Sequence, residues 1–226
     1  MRLLLAFITI LHLSSCRQDP SPPCDTISGE EYEVYAAVLD SLYLGQPNVL
    51  KWLPGAVHVD SVQARRFWPD GRVTLCVVRE STLVFERSPS LFDSWSIAFL
   101  RSDDSPAPKW IDWNALGKSF EGLRLCSARI HAEQLMISGQ SSVVSNDSMN
   151  AIMSAGGDRW CAFYSHFPGA YGIIQFSRVG FNPERSQAVI YTEHQAASLA
   201  GVGEYWFLRR KRSRWILGFR FEKWVS

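Results

Sequence analysis

Three short pairings of an imidazole with a carboxylate are where this chain could do acid–base or metal chemistry: His58 with Asp60, His131 with Glu133, and His194 beside Glu193. Residues two apart on a strand share a face, so either of the first two pairs could converge on a proton in transfer or on a metal ion. Neither has the i, i+4 spacing that puts two ligands on one helical face, as in H-E-x-x-H. Ordinary exposed strand positions explain both pairs as well. No G-x-S-x-G elbow occurs. Gly201-Val202-Gly203 lacks the third glycine and the strand–loop–helix setting of a dinucleotide site. The absence of C-x-x-C argues against a thioredoxin-like or zinc-ribbon role. No catalytic residue, metal or cofactor is therefore assigned. A non-enzymatic binding or structural module is the leading expectation, and an exported hydrolase built around His131, Glu133 or His194 is the alternative.

The strongest charge feature is Arg209-Arg210-Lys211-Arg212-Ser213-Arg214. Five cations in six positions suit contact with anionic phosphates of lipid head groups or an envelope glycolipid, each adding about 1 kcal/mol near such a surface. The plainer alternative is a solvated hairpin tip whose charges protect an exposed sheet edge. A net charge of only +1 over 226 residues argues against a nucleic-acid partner and against a strongly acidic substrate.

At the N-terminus, Met1-Arg2 precedes an apolar run from Leu3 to Leu13. That length suits a signal peptide and falls short of the roughly 20 residues needed to span a bilayer. Leu13-Ser14-Ser15-Cys16 then resembles the lipobox of bacterial lipoproteins: a branched apolar residue, two small residues and a cysteine. The resemblance implies that the Cys16 thiol is diacylated and the chain cut just before it, so residues 1–15 are a signal peptide. Two long acyl chains, at about 0.8 kcal/mol per buried methylene, hold a soluble domain stably to a membrane. Arg17, where some members retained at the inner membrane carry Asp, favours an outer-membrane destination in the cell envelope. The implied partners are the membrane itself and an envelope protein or glycolipid.

Residues 16–28 contain Pro20, Pro22 and Pro23 and read as an extended, flexible tether. With Cys16 acylated, Cys24, Cys76, Cys126 and Cys161 remain, and four thiols allow three pairings. An oxidising compartment permits bridges, but a chain of this length does not need them, and buried free thiols are the leading expectation.

The remainder, 29–226, is expected to be one domain. A chain this long buries about 70% of its unfolded surface, and a 46% apolar composition with nine Trp and thirteen Phe supplies the core. Ser28 and Glu31 fit a capping box, after which Tyr35, Val38, Leu39, Leu42 and Tyr43 recur at helical spacing until Gly45 and Pro47. Short β-rich runs are expected at 57–60, 73–77, 83–85 and 95–100, a short helix at 113–120 and a strand at 123–130. The stretch 138–147 is polar and reads as a loop. Trp160, Phe163, Tyr164 and Phe167 share a helical face that Pro168 ends. From 172 to 226 the pattern is a β-meander, with Val189, Ile190 and Tyr191 apolar on both sides as in a central strand. The expected fold is α+β: a mostly antiparallel, twisted sheet with helices on one face.

Phe176-Ser177-Arg178-Val179-Gly180-Phe181-Asn182, Gln187-Ala188, Tyr191, Gly201, Gly203, Trp215 and the closing Trp224-Val225-Ser226 resemble the end of a family of uncharacterised exported bacterial proteins. The helix from Glu31 to Leu39 is similar to that family's first helix. That family has no assigned activity, so the resemblance implies a fold and a compartment and no reaction. The Cys-Gly pair that some members carry near Ala196 to Leu199 is missing here, which argues against a cysteine-based role for that loop.

Overall fold

The computed structural model describes residues 24–44, 67–68, 73–84, 100, 102, 105–154, 156 and 158–226. Cys16 and its lipobox, the His58/Asp60 pair, and the strands expected at 57–60 and 95–99 lie outside these residues.

Helix α1 (Gly29–Leu44) begins on the expected reciprocal cap: the Ser28 hydroxyl accepts from the Glu31 N–H at 3.3 Å, and the Glu31 carboxylate accepts from the Ser28 N–H at 2.9 Å. Tyr35, Val38, Leu39 and Leu42 fall on one face and are buried. The Tyr43 side chain lies outside the described residues. Each large apolar group so buried contributes roughly 1.5–3 kcal/mol, which stabilises the helix through packing rather than propensity.

That face lies on a seven-stranded sheet. Its strands are β1 (Leu75–Arg79), β2 (Gln140–Val144), β3 (Ala170–Phe176), β4 (Gly180–Phe181), β5 (Gln187–Ala197), β6 (Ala200–Lys211) and β7 (Arg214–Val225). They run in the order β2-β1-β3-β5-β6-β7, with β4 continuing the line of β3 along β5. β1 is parallel to β2 and β3, and the other pairings are antiparallel. The class is α+β, with β5 central and the last three strands a meander.

Successive residues on a strand point to opposite faces, and both faces here are apolar. Cys76, Val78, Ile174, Phe176, Ile190, Trp206 and Leu208 pack with α1. Their neighbours Val189, Tyr191, Tyr205 and Phe207 pack instead with Trp113, Leu116 and Phe120 of α2 (Trp113–Leu123). Val77 and Ile173 pack with Met149 of α3 (Asn146–Ser154) and with Trp160, Phe163 and Tyr164 of α4 (Arg159–His166). The helices are thus shared between two faces rather than gathered on one. A central strand that is apolar on both sides requires cover on both.

Two glycines set close approaches. Gly180 lies under α2, where an added Cβ would stand 2.8 Å from the Phe120 backbone nitrogen. Gly172 has φ +121° and a Cβ there would run into the Gln195 carbonyl oxygen, so only glycine lets β3 and β5 approach at that point.

Further expectations are corrected. Leu83 and Val84, expected to lie in a strand, belong to none. The polar stretch 138–147 is not a loop: it holds β2, an edge strand, and the start of α3. The strand expected at 123–130 is absent, and only Arg129 forms a single bridge, to Ser81. The last residues of the expected tether, 24–28, belong to the folded body, as the contacts below show.

Candidate functional site

The chain enters the body through a clasp. Between β3 and β4 the strand is interrupted at Ser177–Val179: Ser177 exchanges bonds with Tyr191, its N–H donating to the carbonyl and its hydroxyl accepting from the N–H, both at 2.9 Å. The interruption leaves Arg178 buried beneath the start of α1. Its Nε donates to Glu31 Oε1 at 2.8 Å and its Nη2 to Oε2 at 3.1 Å. Both side chains are almost wholly inaccessible, at 1% and 2%. The same guanidinium donates to the carbonyls of Cys24 (2.7 Å) and Thr26 (2.8 Å). Glu31 also accepts from the Val179 N–H at 3.3 Å. Carboxylate and guanidinium thus satisfy each other and the backbone around them, the condition for a tolerable buried ion pair.

Cys24 is bonded to Cys126, which closes a separation of 102 residues. The bridge corrects the expectation of unbridged thiols for Cys24 and Cys126, and none of the three two-bridge pairings is completed. Neither buried Cys76 nor partly exposed Cys161 belongs to a disulfide.

The basic run occupies the end of β6, the turn and the start of β7, with Lys211 opposite Arg214 and Arg212 in the turn at φ 58°. Its members separate. Arg210 faces α1, with Nη1 2.8 Å from Glu30 Oε1, Nη2 3.6 Å from Glu33 Oε2 and its guanidinium 5.6 Å from the Trp215 ring centre. Arg185 shares Glu30 and lies 4.5 Å above Phe181. Arg209 points to the opposite face, 5.6 Å over Trp110, and it, Lys211, Arg212 and Arg214 are exposed. Four cations therefore remain turned toward solvent and one is committed to α1.

Among the described residues, the imidazole candidates do not assemble. His131 and Glu133 are 3.6 Å apart but about half and three-quarters exposed, on a 3-10 turn at Ala132–Gln134 rather than a strand. His194 and Glu193 project from opposite faces of β5. His194 is buried, stacks on Tyr171 with ring centres 4.3 Å apart, and its Nε2–H donates to the Tyr171 carbonyl at 2.9 Å. Glu193 lies on the far face, accepting from the Tyr191 hydroxyl at 3.3 Å, while that hydroxyl accepts from Trp224 Nε1 at 2.7 Å. The cleft of about 650 Å³ near Asp40, Thr74, Cys76 and Ser138 is lined by none of these groups.

Burial lowers the His194 pKa to about 4, with the Tyr171 carbonyl opposing the shift. The unfolded chain binds a proton near pH 6.5 and the folded chain does not. The resulting stability is complete above that pH and is lost as pH falls from about 6.5 toward 4, to the extent of about 3 kcal/mol. Burial pushes the carboxyls of Glu193 and Glu204 up, which acts in the opposite direction as pH falls. His194→Gln is expected to flatten the acid limb of stability measured by urea unfolding between neutral pH and pH 4. Parallel curves for variant and wild type would contradict it.

Sequence reasoning missed the clasp, because Glu31 and Arg178 lie 147 positions apart. The available signal was an arginine in the break between two strands, flanked by the apolar Phe176, Val179 and Phe181. Comparison with protein-family models, curated proteins and solved structures finds no match to this chain.

Proposed function

We propose that the chain is a lipid-anchored protein of the bacterial cell envelope, acylated at Cys16, whose folded body binds or positions a partner rather than turning over a substrate. The observation that carries this reading is the bond between Cys24 and Cys126. Disulfides form and persist in exported proteins and are rare in the reducing cytosol. The bond and the Arg178 clasp fix the chain eight residues after Cys16, so a fully extended connection reaches at most about 28 Å. A short leash of this kind keeps the body close to the bilayer that takes the acyl chains. No helix among the described residues is long and apolar enough to cross a membrane. Arg17 favours the outer membrane where two membranes exist. The binding-module reading draws on the imidazoles: His194 is sealed against Tyr171, and His131 with Glu133 stands at the surface.

Cys16→Ser is expected to move the protein from the membrane pellet to the soluble fraction of disrupted cells, with its fold intact. A variant that still pellets like wild type would contradict the proposal.

A further inference from the structure

We propose that the exposed cations of the β6–β7 hairpin dock on the anionic phospholipid head groups of the membrane that holds the anchor, making a second contact that orients the body. This inference rests on the lipid-anchor reading and adds the surface that faces the bilayer.

The topology places leash and hairpin in the same half of the sheet. Antiparallel pairing brings the start of β5, the end of β6 and the start of β7 together, and the end of β3 lies level with Thr192, midway along β5. Arg178, which grips Cys24, follows β3 and lies level with Ile190, since its neighbour Ser177 bonds Tyr191 and Gly180 pairs with Val189. Gln187 pairs with Arg209, and Lys211 lies two residues further along. The hairpin tip therefore stands about 17 Å beyond the clasp along the strand direction. A leash with a reach of about 28 Å lets that tip meet the surface in which the acyl chains sit.

Charge is segregated across this half of the sheet. On the β6–β7 side, Arg209, Lys211, Arg212 and Arg214 are exposed, and half-buried Trp110 lies beside Arg209. Of the acids near it, Glu30 is held by Arg185 and Arg210, half-exposed Glu33 lies 3.6 Å from Arg210, Asp112 caps α2 at the Ala115 N–H (3.0 Å), and Glu184 accepts from Asn182 Nδ2 at 2.8 Å. On the β1–β2 side, Asp25, Glu80 and Asp147 line a crevice of about 500 Å³ in which Arg129 pairs with Glu80. An anionic surface attracts the first side and repels the second, so the body tilts with the β6–β7 corner down. Arg210 takes no part, because its guanidinium is held by α1. The anchor confines the hairpin near the surface, so weak attraction by a few cations suffices.

The test uses the chain from position 16 onward with Cys16→Ser, which lacks acyl chains and retains every described residue. Sedimentation with vesicles containing roughly a third phosphatidylglycerol is compared with pure phosphatidylcholine vesicles and with phosphatidylcholine carrying envelope glycolipid. The expected result is binding to the phosphatidylglycerol vesicles, lost at high salt and absent from pure phosphatidylcholine. The variant Lys211→Ser/Arg212→Ser/Arg214→Ser should lower partitioning roughly tenfold or more, while Lys118→Ser/Lys223→Ser leaves it near wild type. Equal binding by the hairpin variant, salt-independent binding, or binding only to the glycolipid vesicles would overturn the proposal. Because this chain carries no lipid, its result is independent of whether Cys16 is acylated in cells.

Discussion

Arg178→Met is expected to lower the free energy of unfolding by about 3–5 kcal/mol, the cost of stranding one member of a buried ion pair. The substitution leaves the Glu31 carboxylate in a site with 2% side-chain exposure, with only the N–H groups of Ser28 and Val179 as donors. It also strips the carbonyls of Cys24 and Thr26 of their donor. Arg178→Lys keeps the charge but cannot reproduce the forked contact with both carboxylate oxygens and two carbonyls, so it should be clearly destabilising too. The double variant Arg178→Met/Glu31→Gln removes both charges and should recover a substantial part of the loss, because the penalty lies in the unpaired carboxylate. Urea unfolding measures all three. A loss below about 1 kcal/mol for Arg178→Met, the level of an exposed pair, would show that the clasp is not buried in solution as described here.

Removing the Cys24–Cys126 bond has the second large expected effect. A loop of about 100 residues carries roughly 4.7 kcal/mol of chain-entropy stabilisation, and native bridges commonly deliver 2–5 kcal/mol. For a domain of this size that corresponds to a fall in melting temperature of roughly 5–15 °C. Cys126→Ser should show it, and dithiothreitol should produce the same shift in wild type but none in the variant. The two devices hold one segment, so Arg178→Met and Cys126→Ser should be non-additive when combined. With the bond gone, the Cys24–Ser28 backbone should exchange its amide hydrogens faster, while the β5–β6 core keeps its protection. An unchanged melting temperature on reduction would mean that the bridge does not form in the mature protein.

Much of the fold was legible because local rules and tertiary packing agree. The Ser28/Glu31 cap, the Tyr35–Leu42 stripe, the α4 aromatics and the final meander each follow from side-chain period and end chemistry. β2 was not legible, since Gln140-Ser141-Ser142 lies at a sheet edge and needs no apolar face. Its parallel pairing with β1 joins strands more than sixty residues apart, which no local pattern encodes. The two-sided cover was implicit in the apolar run at Val189–Tyr191, yet which helix takes which face depends on register. The site divides in the same way. The basic run was visible as composition, but the diversion of Arg210 to Glu30 and Glu33 came only from the placement of α1. Glu193 beside His194 was an adjacency in sequence that the pleat of β5 separates.

Everything proposed about where this protein acts depends on fatty chains joined to one sulfur. Mass spectrometry of the N-terminal peptide of the mature, membrane-extracted protein tests that most directly. The account predicts a chain that begins at Cys16 and carries a thioether-linked diacyl group. A mature chain with a bare thiol at Cys16, or one that still contains Leu13-Ser14-Ser15, would contradict it.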